Sequence, residues 1–202
     1  MTSVATLLLL AGVSGQPTAS CGSSVLPVEL SVVRAPIQER HDLSLDQIEA
    51  LRRASGTVPA HRTFGLYAVK VFYTIDGVPA STRGCGPIAR VNLVLSERII
   101  QLARDIAPGA CQAAAVAHYR MHAEINDAVF SHLADRVAAV LRTPAVAAAL
   151  WTARTSGEIQ DLIEALVGPE MDAYDRENRA AQVEGDSIGQ RERLERPCND
   201  PH

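Results

Sequence analysis

The sequence predicts an α+β domain, a small antiparallel sheet of about three strands packed against a long central helix and further C-terminal helices. Three observations predict it. Two stretches, Phe64 to Ile75 and Ile88 to Leu95, are dense in β-formers. From Ser96 onward the apolar spacing turns helical. Cys111 to Arg142 then runs without a single Gly or Pro, long enough for roughly nine helical turns. Hydrophobic residues make up 47% of the 202-residue chain and the formal net charge is −4, which suits one globular domain with a tail.

Residues 1–20 differ from the rest. They carry no charge and centre on an apolar run from Val4 to Val13. The run is too short to span a bilayer but suits the core of a signal peptide, although a basic n-region is missing. Cleavage would follow Gly15 or Ser20; a buried N-terminal segment is the competing reading. Thr18-Ala19-Ser20-Cys21 also looks like a lipoprotein acceptor without the apolar residue usual three before the Cys. The expected organisation is a signal peptide over 1–20, a folded domain over 21–183 and a polar tail over 184–202. The expected location is periplasmic or secreted, with no transmembrane span after cleavage.

The elements follow in order. Val28 to Val33 reads as a strand bounded by Pro27 and Pro36. Ser44-x-x-Gln47 opens a short helix through a capping box, and Gly56 and Pro59 end it. In Phe64 to Ile75, Leu66, Tyr67, Val69, Val71, Phe72, Tyr73 and Ile75 give a strand with β-formers on both faces, with Asp76-Gly77 as its turn. Val91, Leu93 and Leu95 alternate in the next strand. Ile99, Ile100, Ala103 and Ile106 predict a short amphipathic helix stopped by Pro108-Gly109. After the long helix comes a small one over Ala145 to Ala153 carrying Trp151. Another begins at Glu158 with Ser156 as its cap, and Gly168-Pro169 breaks it before Glu170 to Val183.

Four cysteines, Cys21, Cys85, Cys111 and Cys198, lack CxxC spacing, so a zinc ribbon or redox motif is not supported. In an exported chain they predict two disulfides out of three possible connectivities. The expected pairs are Cys85–Cys111 across the core and Cys21–Cys198 tying the ends together.

The sharpest chemical feature lies in the long helix. At about 100° per residue, Cys111, Ala115, His118, His122, Ile125, Val129, Leu133 and Val140 share one face. His118 and His122 sit one turn apart on it, the geometry by which two imidazoles hold one zinc ion. A bland reading competes, in which both are hydrogen-bonded core residues kept neutral by burial. Glu124 points about 120° away from the pair. His132 lies about 15 Å from His122 along an unbroken helix and cannot share an ion. His41 and His61 fall in loops, and His202 is terminal. Asp172, Asp175 and Glu177 are candidate carboxylate ligands, weighed against an ordinary solvated acidic face.

The order of these elements, with HYRMH in a helix that starts at a Cys, resembles the bacterial family of predicted secreted zinc-dependent proteases with a zincin-like fold. The resemblance runs from about Val28 to Ala181. It implies that His118 and His122 are the two ligand histidines of HExxH. In a zinc peptidase the residue after the first histidine is a Glu acting as general base; here it is Tyr119. A phenol titrates near pH 10 and cannot take that role at neutral pH. The family's later Tyr-Asp segment matches Tyr174-Asp175, but Ala180 falls where the third ligand belongs.

The resemblance therefore implies a catalytically inactive relative of these proteases, with zinc as its possible cofactor and a polypeptide or cell-envelope component as its partner. An active metal-dependent hydrolase with an unconventional third ligand is the alternative. A purely structural exported protein is the third reading. No catalytic residue is assigned. GxSxG, GxGxxG and GxxxxGK[ST] are absent, which disfavours triad hydrolysis and nucleotide binding. Only 4% aromatic residues and no basic stripe speak against nucleic acid.

Overall fold

The computed structural model describes residues 27–54, 64–80, 86–106 and 108–199. The expected signal peptide, Cys21, Cys85, His61 and His202 lie outside the described residues. Four strands, β1 (Val28–Arg34), β2 (Gln38–Leu43), β3 (Gly65–Val78) and β4 (Ile88–Ala103), form one sheet. Five helices accompany them: α1 (Leu45–Ala54), α2 (Ala110–Leu141), α3 (Pro144–Thr152), α4 (Ser156–Gly185) and α5 (Ile188–Asn199).

The sheet corrects the expected antiparallel arrangement. β1 and β2 both run parallel to β4, and only β3 pairs with β4 in antiparallel register. The fold is mixed α/β. The reason lies at Ala35-Pro36-Ile37, a link with no reversing turn chemistry. The chain stays extended through it, so β1 lies beside the first half of β4 and β2 continues in the same direction beside the second half. β2 itself is QERHDL, with no apolar alternation to announce a strand, and His41 is exposed on it.

β4 is twice as long as its sequence suggests, because a bulge hides its second half. Ala68 faces Ile99 but Lys70 faces Ser96, so β4 carries one residue more than β3 there. Glu97 takes up the irregularity with φ 51°. The buried phase therefore changes from Val91, Leu93 and Leu95 to Arg98, Ile100 and Leu102. A broken alternation imitates the spacing of a helix, and the short helix expected over Ile99 to Ile106 is strand as far as Ala103. Similarly, Asp76-Gly77 remains paired within β3 rather than turning.

The core sits between the sheet and two long helices. Phe130, Leu133 and Val137 of α2 and Ile159, Ile163 and Val167 of α4 cover Val91, Leu93 and Leu95. Each such large side chain contributes about 1.5–3 kcal/mol by leaving water. The bulge is locked onto α2 by the buried Arg98, whose guanidinium donates to Asp127 Oδ2 at 2.5 Å and to the Ala35 carbonyl at 2.9 Å. The capping box of α1 forms as expected: Ser44 N–H donates to Gln47 Oε1 at 2.8 Å, and Gln47 N–H to Ser44 Oγ at 3.3 Å.

Two helical readings change. α4 runs unbroken through Pro169, and Thr155 rather than Ser156 accepts the capping bond from Glu158 N–H. Gly168 has no Cβ to meet the proline ring, and Pro169 is exposed, so the carbonyl left without a donor is on the wet side. Beyond Gly185 the residues expected as a tail include α5, which packs on α2 through Leu194 beside Tyr119 and Ala115. Cys111 and Cys198 form a disulfide there. This overturns both expected pairings, since each of them assigned one of these cysteines to a different partner. Among the described residues no helix is long and apolar enough to cross a membrane.

Candidate metal centre

α2 and α4 pack against each other along a line of polar residues spaced one helical turn apart. α2 contributes His118, His122 and Asn126; α4 and its cap contribute Tyr174, Asn178, Gln182 and Asp186. Four-residue spacing keeps each set on one face, so the two sets meet as rungs. Asn126 Nδ2 donates to the Tyr174 hydroxyl at 2.6 Å and to Asn178 Oδ1 at 3.3 Å. Gln182 Nε2 donates to Asn178 Oδ1 at 3.3 Å and to the His122 carbonyl at 3.0 Å. Its Oε1 accepts from His122 Nδ1–H. Gly185 sets the spacing at the last rung, because a Cβ there would lie 2.7 Å from Ile125 Cδ1 and 3.3 Å from Met121 Cε.

At that rung three donor atoms converge. His122 Nε2 is 3.1 Å from His118 Nε2 and 3.1 Å from Asp186 Oδ1, and His118 Nε2 is 3.4 Å from the same oxygen. His118, His122 and Asp186 form a group that could hold a metal ion. The dimensions suit one: metal bonds of about 2.0–2.1 Å in a tetrahedron separate neighbouring ligand atoms by about 3.3–3.4 Å. With Gln182 Oε1 accepting at its Nδ1, His122 turns Nε2 toward the Asp186 oxygen, where a proton or a metal ion would bridge the two.

Asp186 also defies the local rule for its position. It caps the C-terminus of α4, where the helix dipole favours cations and opposes a carboxylate. Hydrogen bonds from His118 and then His122 nonetheless hold its carboxyl well below the usual carboxylate range, against the opposing effect of burial. Both imidazoles are nearly buried, with 9% of each side chain exposed. His118 Nδ1 is buried with no hydrogen-bond partner among the described residues.

The cluster opens into a cavity of about 490 Å³ between α1, β3, α2 and α4. Leu51 and Arg52 line it from α1, Leu66, Tyr67 and Val69 from β3, and Asn178 from α4. Tyr119 closes one side, and its hydroxyl donates to the Gly65 carbonyl at 2.7 Å. Burial pushes this phenol far above its ordinary value. Gly65 permits the contact, because a Cβ there would stand 2.7 Å from the Tyr119 ring and 2.5 Å from the Gln101 carbonyl oxygen. Tyr119 is thus a buried wall that bonds to the sheet.

The structure brings together the two histidines singled out in the sequence and adds a third group that the sequence reading missed. Asp172 and Asp175 are exposed, and Glu177 instead bonds His132 Nδ1 at 2.9 Å and Arg136 at 3.0 Å. Ala180 is exposed. Glu124 is exposed as well, beside Arg120 and Glu39. Asp186 lies past Val183, in the segment expected to be tail, and the four-residue series from Tyr174 is the signal that leads to it. No family model matches the chain, and no curated protein or solved structure is similar to it.

Proposed function

We propose that this protein is an exported zinc-binding domain that uses its metal to hold a ligand, a catalytically inactive relative of secreted zinc-dependent proteases. The observation that carries the reading is the triangle of His118 Nε2, His122 Nε2 and Asp186 Oδ1, 3.1–3.4 Å on a side and open to a cavity. Two imidazoles and a carboxylate with a free fourth position suit zinc. Export is supported by the Cys111–Cys198 disulfide together with the apolar leader. The inactive assignment is supported by Tyr119, which stands in the place of the general base and is occupied with the Gly65 carbonyl. Among the described residues lining the cavity, Asp186 is the one carboxylate, and it belongs to the donor set.

The test is the metal content of the oxidised protein beside two variants, His118→Ala/His122→Ala and Asp186→Ala. About one zinc per wild-type chain, lost in the double variant and sharply weakened in the other, is expected. A folded wild type that takes up no zinc from excess removes the reading. A second reading, a metal-dependent hydrolase with Asp186 as its unconventional third ligand, is favoured by the same open position. It requires zinc-dependent cleavage of a peptide or ester library that disappears in His118→Ala.

A further inference from the structure

The third donor of the metal group stands where two helices meet. α4 ends at Gly185 and α5 begins at Ile188, so Asp186 is one of the two residues that join them. Its N–H donates to the Gln182 carbonyl at 3.0 Å, and that of Ser187 to the Glu184 carbonyl at 3.0 Å. The helix dipole opposes a carboxylate at this end, so α4 alone has no electrostatic reason to hold Asp186 in place. α5 is weak by itself as well. It has 12 residues with Pro197 among them, and an isolated helix of that length is marginal in water. Among its described side chains Leu194 is the buried one, set against Ala115 and Tyr119 of α2, while Glu192, Arg193 and Arg196 are exposed.

A covalent bond anchors this helix. Cys198, near the end of α5, is bonded to Cys111 in the first turn of α2. Cys111 precedes His118 by about two turns of an unbroken helix, roughly 10 Å at 1.5 Å per residue. The disulfide is therefore outside the donor group but rigidly joined to it. The ring it closes spans 87 residues and contains His118, His122 and Asp186. Without the bond, Asp186 is tied to His122 through 64 residues of chain and the contacts of α4. With the bond, α5 holds the junction from its other side too.

We infer that the Cys111–Cys198 disulfide is a redox switch on the metal centre. Closed, it keeps Asp186 against the two histidines; opened by a dithiol reductant, it frees α5 and weakens metal binding. The exchange passes two electrons and two protons from the dithiol to the cystine, leaving two protein thiols and the reductant's own disulfide. The inference rests on the metal reading, and it ties metal uptake to an oxidising compartment. By linkage, zinc protects the disulfide from reduction by the factor by which oxidation tightens zinc.

The experiment uses the full chain and reads zinc affinity by competition with a fluorescent chelator. It compares the oxidised wild type with Cys111→Ser/Cys198→Ser, whose serines cannot bind zinc as thiolates. The serine variant, with its helical circular dichroism and cooperative urea unfolding retained, binds zinc about tenfold or more weakly. In an Asp186→Ala background the same serines change affinity little, because the bond acts through Asp186; a general loosening of the fold would lower affinity equally in both backgrounds. A Gly-Gly-Gly insertion between Ser187 and Ile188 keeps the disulfide but cuts its hold on Asp186. It weakens zinc to a similar degree and carries the test if the serine variant does not fold. In a glutathione redox buffer, zinc shifts Cys111 and Cys198 of the wild type toward the disulfide by the same factor, read by thiol labelling and peptide mass analysis. Wild-type affinity in a folded serine variant or in the glycine insertion, an equal loss with and without Asp186, or a disulfide indifferent to zinc overturns this inference alone. A wild type that takes no zinc overturns the metal reading with it.

Discussion

Replacing Gln182 by leucine tests whether the polar contacts between α2 and α4 serve the metal centre or only the packing. Gln182 accepts from His122 Nδ1–H and donates to the His122 carbonyl at 3.0 Å and to Asn178 Oδ1 at 3.3 Å. Leucine has similar volume but removes all three bonds. Loss of the Nδ1 acceptor frees the imidazole to rotate and to place its proton on Nε2, the atom that must face the ion. Such supporting contacts are worth about 10–100-fold in metal affinity, or roughly 1.4–2.8 kcal/mol. The metal-free fold should lose about 1–3 kcal/mol, the cost of a buried ring nitrogen left without its partner. Zinc affinity is read by competition with a fluorescent chelator, and metal-free stability by urea unfolding. Gln182→Glu is the companion variant: it keeps the acceptor, adds negative charge and should hold zinc at least as tightly as wild type. Refutation would be a leucine variant with wild-type affinity and reduced stability, since the amide would then matter to packing alone.

Three other outcomes follow from the same geometry. Tyr119→Glu, which restores HExxH in sequence, should not create a peptidase: its carboxylate would face the Gly65 carbonyl in a site 7% exposed, at a cost of about 3–5 kcal/mol in urea unfolding. A stable variant that cleaves peptides would contradict the placement of Tyr119. Cys198→Ser opens a disulfide spanning 87 residues and should cost up to about 4–5 kcal/mol on chain-entropy grounds, measured against the oxidised wild type. Finally, the His132 hydrogen bond, aided by Arg136, holds the Glu177 carboxyl below its ordinary value. Its contribution to stability is therefore present above the ordinary carboxylate pKa of about 4.3 and fades as pH falls through the lowered folded value. Thermal melts between pH 5 and 3 should show less acid loss in Glu177→Gln than in wild type, by a small margin because the pair is partly solvated and screened by salt.

Legibility in the sequence followed the number of faces an element buries. α2 was readable to within a residue at each end, since 32 residues without Gly or Pro can scarcely form anything else. Its buried stripe was offset, because Tyr119, Asn126 and Phe130 are buried while His118 and Ile125 lie at its margin. β3 was readable for the same reason of unbroken β-formers. β2 was not, as an edge strand of charged residues carries its pairing in backbone bonds alone. The second half of β4 was obscured by one extra residue at the bulge, which converts a period of two into spacings that also satisfy a helix. The cysteine pairing depended on where α5 returns, and nothing in spacing alone conveys that.

The donor set was half legible for a deeper reason. His118 and His122 announce themselves through i, i+4 spacing on one helix, but Asp186 is 64 residues from His122 and joins it only because α4 runs straight through Gly168-Pro169. A break at the proline would have ended the register that carries Tyr174, Asn178, Gln182 and Asp186 along one face. Counting back in fours from Asp186 gives an amide, another amide and a buried phenol, all on the side turned toward α2. Such polar residues are costly at a helix contact unless each finds a partner. Here Tyr174, Asn178 and Gln182 find theirs on α2, leaving Asp186, a carboxylate at the wrong end of a helix dipole, facing two imidazoles. Partnered polar rungs that end in an electrostatically disfavoured carboxylate make sense if a cation completes the last rung, and that is why Asp186 weighs as heavily as the histidine motif itself.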